Sequence, residues 1–168
     1  PGEQPIEAAV RIAGTMDGGC LAIQGPPGSG KTYAASRVIA ALLRQGKRIG
    51  IASNSHKAIN NLLTACGKAL SESEEGLASV KLEGIKAGGE PDETLHKANP
   101  GLHHVAGNSD AKGRYNGGVA GGTAWLFSRL EWTGALDYLF IDEGGQVPLA
   151  NAVADFVSVH LPKTPETE

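Results

Sequence analysis

Aromatic side chains are scarce, 5% of 168 residues, so whatever core this chain builds must be largely aliphatic. Sulfur is scarce too. The two cysteines, Cys20 and Cys66, stand too far apart in sequence to form a metal-ligand pair. Two isolated thiols and no leader-like start fit a reducing, cytoplasmic setting. No apolar run approaches the roughly 18 residues of a bilayer-spanning helix, which argues against a membrane partner. Charge of one sign is lacking as well: 15 Lys and Arg against 18 Asp and Glu leave a formal −3. A polyanion would therefore have to be met by a local groove rather than by the net field. What is plentiful is glycine, 24 residues, which implies many tight loops. The length suffices for one domain that buries roughly 70% of its unfolded surface. The chain starts at Pro1 rather than methionine and reads as a piece of a longer protein.

The most informative stretch is Leu21 to Thr32. A short apolar run, Leu21-Ala22-Ile23, predicts a strand that breaks into Gly25-Pro26-Pro27-Gly28-Ser29-Gly30-Lys31-Thr32. This is the G-x-x-x-x-G-K-[ST] pattern of a phosphate-binding loop, with a helical segment following as the motif requires. Glycines let successive backbone N–H groups turn inward around an anion. The next helix start adds unpaired N–H groups and partial positive charge. Lys31 is then expected on the β- and γ-phosphates of ATP, and the Thr32 hydroxyl on magnesium. Gly25 through Tyr33 form the candidate nucleotide cradle.

Around this loop the periodicity alternates between strand and helix. Ile6, Ala9, Val10 and Ala13 predict a first helix ending at Gly18-Gly19, and Gln4 before it is read as solvated. Tyr33 to Gln45 predicts an amphipathic helix, with Gly46 as its C′ residue. Arg48 to Ser53 is apolar enough for a buried parallel strand, and Ser55 is placed to N-cap the helix after it. The alternation Val80 to Ile85 predicts another strand. Residues 86–118 lose periodicity and read as an insertion or long loop. His96, His103 and His104 within it lack a cysteine or carboxylate at ligand spacing and are read as solvated. A small-residue strand then ends at Thr123. The helix predicted from Ala124 to about Glu131 should pack Trp125, Leu126 and Leu130.

Leu139-Phe140-Ile141 is an apolar run that ends in Asp142-Glu143. Paired with the upstream loop, it supplies a second half to the site: Asp142 to organise magnesium and Glu143 to polarise the attacking water. Val147 to Val157 predicts a helix, and residues 160–168 a polar tail. The expected fold is therefore α/β, a P-loop NTPase sheet with helices on both faces over residues 1–159, which the family resemblance carried by the blocks that follow makes a partial RecA-like lobe.

Four blocks carry a resemblance to a known family. They are Ile23-Gln-Gly-Pro-Pro-Gly-Ser-Gly-Lys-Thr-Tyr33, Ala52-Ser-Asn-Ser-His-Lys-Ala-Ile-Asn-Asn-Leu62, Gly121-Gly-Thr-Ala-Trp-Leu-Phe127 and Asp137-Tyr-Leu-Phe-Ile-Asp-Glu-Gly-Gly-Gln-Val147. In this order they resemble the motor domain of superfamily 1 helicases of the 5′-to-3′ type. The likeness is greatest to the helicase part of proteins that join a RecB-like nuclease to such a motor. The resemblance implies ATP hydrolysis coupled to movement on single-stranded DNA, RNA remaining open. It implies that Gln146 senses the γ-phosphate, and that Asn54, Ser55, His56 and Thr123 touch the nucleic-acid backbone. Gly144 departs from the family's usual alanine. The family's second RecA-like lobe, with its arginine fingers, has no counterpart in these residues, so weak turnover by this piece alone is the expectation. A nucleotide-dependent switch, in which ATP orders residues 86–118 against a protein partner, is the alternative.

Overall fold

A computed structural model describes residues 2–72 and 80–142. Helix α1 (Pro5–Thr15) precedes the glycine-rich loop, and α2 (Lys31–Arg44) follows it. Strand β1 (Ile49–Ala52) leads to α3 (His56–Ser71), and β2 (Gly84–Ala87) leads to α4 (Glu93–Ala98). Then come β3 (Leu102–Val105), α5 (Asn108–Arg114), β4 (Val119–Gly122), α6 (Ala124–Phe127), a 3-10 turn (Leu130–Trp132) and β5 (Tyr138–Ile141). The five strands form one sheet in the order β3-β2-β4-β1-β5, and every pairing is parallel. No helix among the described residues is long and apolar enough to cross a membrane.

Parallel strands covered on both faces should be apolar throughout, and β1 and β4 are buried at every position. Ile49 and Ile51 pack with Val38, Ile39 and Leu42 of α2 and with Ile59 and Leu63 of α3. The opposite face gathers Ala52, Ala120, Phe127, Trp132 and Leu136. Missing side chains decide how closely the helices approach. A Cβ on Gly121 would lie 2.9 Å from the Ile59 side chain and 3.0 Å from that of Leu63. One on Gly50 would lie 3.2 Å from the Phe127 ring of α6, and closer still to Leu136 and Leu139. Glycine in these strands is spent on helix–sheet contact.

Helix ends follow local chemistry. Gly46, at φ 74°, ends α2 in a Schellman arrangement: its N–H donates to Leu43 O, and the Lys47 N–H donates to Leu42 O. Ser55 caps α3 by accepting from the Ala58 N–H at 3.4 Å. Before α1, the Gln4 N–H donates to the Glu7 carboxylate at 3.2 Å, a capping contact at an exposed end. Burial pushes the Cys66 thiol in α3 up to about 12, so it stays protonated at neutral pH.

Five expectations are corrected. Leu21-Ala22-Ile23 forms no strand, and residues 21–30 are exposed throughout. This apolar run has no neighbour in the five-stranded sheet, and without ladder partners a run of three residues has nothing to hold it extended. The strand expected at residues 80–85 lies instead at Gly84–Ala87, because pairing with β3 and β4 selects that register. Residues 86–118 are not a long loop: they contain α4, β3 and α5, elements too short for periodicity to show. There His103 is exposed, but His96 and His104 are half-buried with their rings 6.0 Å apart, and His96 Nδ1–H donates to Leu102 O at 2.7 Å. Finally, Trp125 and Leu130 do not pack: they are 68% and 89% exposed, while Trp132 takes the buried aromatic place. The helix expected at residues 147–157, and the tail beyond, lie outside the described residues.

One ion pair ties the entrances of β1 and β5 together. The Arg48 guanidinium donates to Asp137 at 2.8 and 3.2 Å, and the Arg48 N–H donates to Asp137 Oδ2 at 2.7 Å. These bonds hold the Asp137 carboxyl below its ordinary range against the opposing effect of burial. Its contribution to stability is thus complete above the unfolded carboxylate range, about pH 4, and is lost as pH falls through the lower folded value. Discounted for partial exposure, Asp137→Ala should cost about 1 kcal/mol at neutral pH. Denaturant melts of variant and wild type should converge in acid, and a gap that persists there would remove the pair as its cause.

Candidate functional site

The glycine-rich loop is held by its own carbonyls. The Ser29 N–H donates to Pro26 O at 3.2 Å, closing a turn, and Lys31 Nζ donates to Gly25 O at 2.7 Å and Pro26 O at 2.9 Å. Gly28 and Gly30 have φ of 78° and 84°, a region that costs any Cβ-bearing residue about 1–2 kcal/mol. Gly30 is the N-cap of α2, so the chain enters the helix directly from this left-handed turn. A Cβ on Gly25 would lie 3.3 Å from Ser29 Cβ, which keeps the inside of the loop free only with glycine there. Thr32 is exposed, and Tyr33 is half-exposed beneath the Arg37 guanidinium, 4.8 Å from its ring centre.

Topology puts the start of α2 on a particular edge of the sheet. A four-residue link, residues 45–48, joins the end of α2 to the start of β1. A helix that precedes a parallel strand by so short a link runs antiparallel to it, so Lys31 lies toward the carboxyl edge. The other candidates lie there too. Register pairs Ala52 with Gly122 on one side and Ile141 on the other. The residues that follow, Ser53, Thr123 and Asp142, therefore leave the sheet in one row, with neighbouring strands about 4.8 Å apart. The Asp142 N–H donates to Ala52 O at 2.9 Å, which extends that row by a bond. Open α/β sheets bind ligands along this edge.

Among the nucleic-acid candidates, Asn54 and Ser55 are exposed, while His56 is half-buried at the first position of α3. The His56 ring lies under the Gly88-Gly89 turn, where a Cβ on Gly89 would come 2.8 Å from its Cγ. Burial, and then the Lys86 ammonium, hold His56 below the ordinary imidazole range, so it is neutral at pH 7. Thr123 is half-buried and its hydroxyl does not cap α6. Glu143 and Gln146 lie outside the described residues.

Sequence reasoning passed over Lys86. It is fully buried in β2, and its ammonium donates to Gly88 O, fixing the turn that covers His56. The available signal was a lysine between apolar residues, Ile85-Lys86-Ala87, in a strand with no exposed face.

Among the described residues no group of three or more His, Cys, Asp or Glu could cage a metal. Compared with protein-family models, curated proteins and solved structures, the chain gives no match.

Proposed function

We propose that this chain is the ATP-binding part of a superfamily 1 DNA helicase, a P-loop NTPase that hydrolyses ATP to drive movement on single-stranded nucleic acid. The observation that carries the reading is the Gly25–Thr32 turn. It has two glycines at positive φ, a lysine folded over its carbonyls, and a direct entry into α2 at the edge from which Asp142 emerges. In this reading the loop N–H groups and Lys31 hold the phosphates of ATP. Thr32 and Asp142 hold magnesium, which neutralises phosphate charge when bound. Glu143 accepts a proton from the attacking water, and Gln146 positions the γ-phosphate end. Asn54, Ser55, His56 and Thr123 bear on the nucleic-acid backbone. Sustained stepping would need the second RecA-like lobe, and in the parent protein a RecB-like nuclease domain could accompany it.

The switch reading needed ATP to order residues 86–118. Those residues already carry α4, β3 and α5, so the segment such a switch would act on is folded into the sheet.

Two measurements test the proposal. Mg-ATP should bind the chain, and chelating magnesium should weaken that binding. In the parent protein, single-stranded DNA should stimulate hydrolysis, and Glu143→Gln should keep ATP binding while lowering turnover by about 10²–10⁴-fold, as loss of a general base does. Undiminished hydrolysis by that variant would remove Glu143 from the role, and absence of ATP binding by the chain would overturn the reading.

A further inference from the structure

Trp125 is the surface group that the proposed machinery leaves unused. Helix α6 reads Ala-Trp-Leu-Phe, and three of its side chains enter the core: Ala124 is 4% exposed, and Leu126 and Phe127 are fully buried. Leu126 seats against Gly122, and Phe127 against Gly50, where a Cβ would lie 3.2 Å from its ring. With about 100° between successive residues on one helical turn, those contacts leave Trp125 facing outward. It is 68% exposed. One of only two tryptophans in an aromatic-poor chain is thus held in water on a short, firmly anchored element. A large apolar group so placed is informative in a way that a scattered surface leucine is not.

Its position selects an occupant. Trp125 lies two residues past Thr123, on the carboxyl edge of β4, beside the edge of β1 that carries exposed Ser55 and Lys57. Hydroxyl and ammonium groups suit a phosphate backbone, and an exposed indole suits the face of a base. One row at the sheet edge therefore offers both halves of single-strand recognition.

We propose that Trp125 is a stacking platform for a base of single-stranded nucleic acid whose backbone lies along Ser55, Lys57 and Thr123. This rests on the nucleic-acid reading above and adds to it the group that holds a base. Because every base has a π-face, the platform is indifferent to sequence.

The test uses the 168-residue chain with an oligothymidylate of about 15 nucleotides, near the upper single-site length, and an abasic oligomer of equal length. The oligothymidylate should bind the tighter and should quench indole fluorescence. Trp125→Ala should weaken oligothymidylate binding by about 5- to 100-fold, bringing it to the abasic value. Trp125→Tyr should keep most of the preference, and Trp125→Leu, which retains apolar area without a π-face, should not. Because the side chain is exposed, circular dichroism should show all three variants folded. Equal binding by Trp125→Ala or Trp125→Leu overturns the platform while leaving phosphate binding intact. Failure of wild type to bind either oligomer overturns both the platform and the nucleic-acid reading. Self-association that depends on Trp125 and is indifferent to oligonucleotide overturns the platform in favour of protein docking.

Discussion

Trp132→Ala is expected to cost about 3–5 kcal/mol of folding free energy, the range for deleting a buried tryptophan side chain. Trp132 is fully buried, with the Phe127 ring edge-on at 5.4 Å and the Tyr115 ring tilted at 5.2 Å. Lys112 Nζ stands 5.9 Å from the same indole. Such aromatic pairs add about 0.5–1.5 kcal/mol beyond the area they bury. Since a domain typically has only about 5–15 kcal/mol in total, the variant should be folded marginally or not at all at 37 °C. Trp132→Phe separates the causes. Among the described residues the indole Nε1 is buried without a hydrogen-bond partner, so the smaller ring loses packing but sheds an unpaired donor worth about 1–3 kcal/mol. Urea melts followed by circular dichroism should rank the wild type near Trp132→Phe and far above Trp132→Ala. Equal midpoints for wild type and Trp132→Ala would show that this second core layer is not what holds β5 and α6 in place.

Lys31→Ala should weaken Mg-ATP binding by about 10- to 150-fold, the equivalent of losing about 1.5–3 kcal/mol of charge-assisted hydrogen bonding. Among the described residues the ammonium bonds to the Gly25 and Pro26 carbonyls of its own loop and to no other group, so its removal should leave the melting midpoint nearly unchanged. Lys31→Arg should not restore binding. A planar guanidinium cannot occupy the compact position from which one ammonium reaches two carbonyls at 2.7 and 2.9 Å. Calorimetric titration with Mg-ATP reads all three proteins. Wild-type affinity in Lys31→Ala would remove the lysine, and with it the phosphate role of the loop.

Much of this molecule was legible in one dimension because its signals are local. The α2 boundaries, the Gly46 stop and the Ser55 cap depend on residues within one helical turn of each other. The apolar run of β1 likewise declares burial on both faces, whereas the similar run of β5 is only half-buried. The turn and strand end that frame the candidate site were legible for the same reason: a tight turn uses closely spaced glycines at positive φ, and an acidic residue ending an apolar run marks a strand's carboxyl end. Short elements hid. Helices α4 and α5 have 6 and 7 residues, too few turns to display a period, and polar residues between them resembled a loop.

Other features were decided only when the chain closed on itself. Leu21-Ala22-Ile23 has the composition of a strand, but a strand exists only with a partner, and the sheet gives it none. Trp125 and Trp132 are chemically identical. Which one is buried depended on how α6 packs over Gly50, a contact with Phe127 nearly eighty positions away that no local pattern carries. Lys86 became a buried ammonium because β3 and β4 flank β2 and the Gly88-Gly89 turn folds above it. The sequence alone determined the glycine-rich turn before α2 and the helix ends, since backbone conformation and hydrogen bonding over a few residues suffice for them. Tertiary structure alone decided which strands pair, which tryptophan meets water, and that Ser53, Thr123 and Asp142 leave the sheet in one row, since these depend on register between segments that meet only in the folded chain.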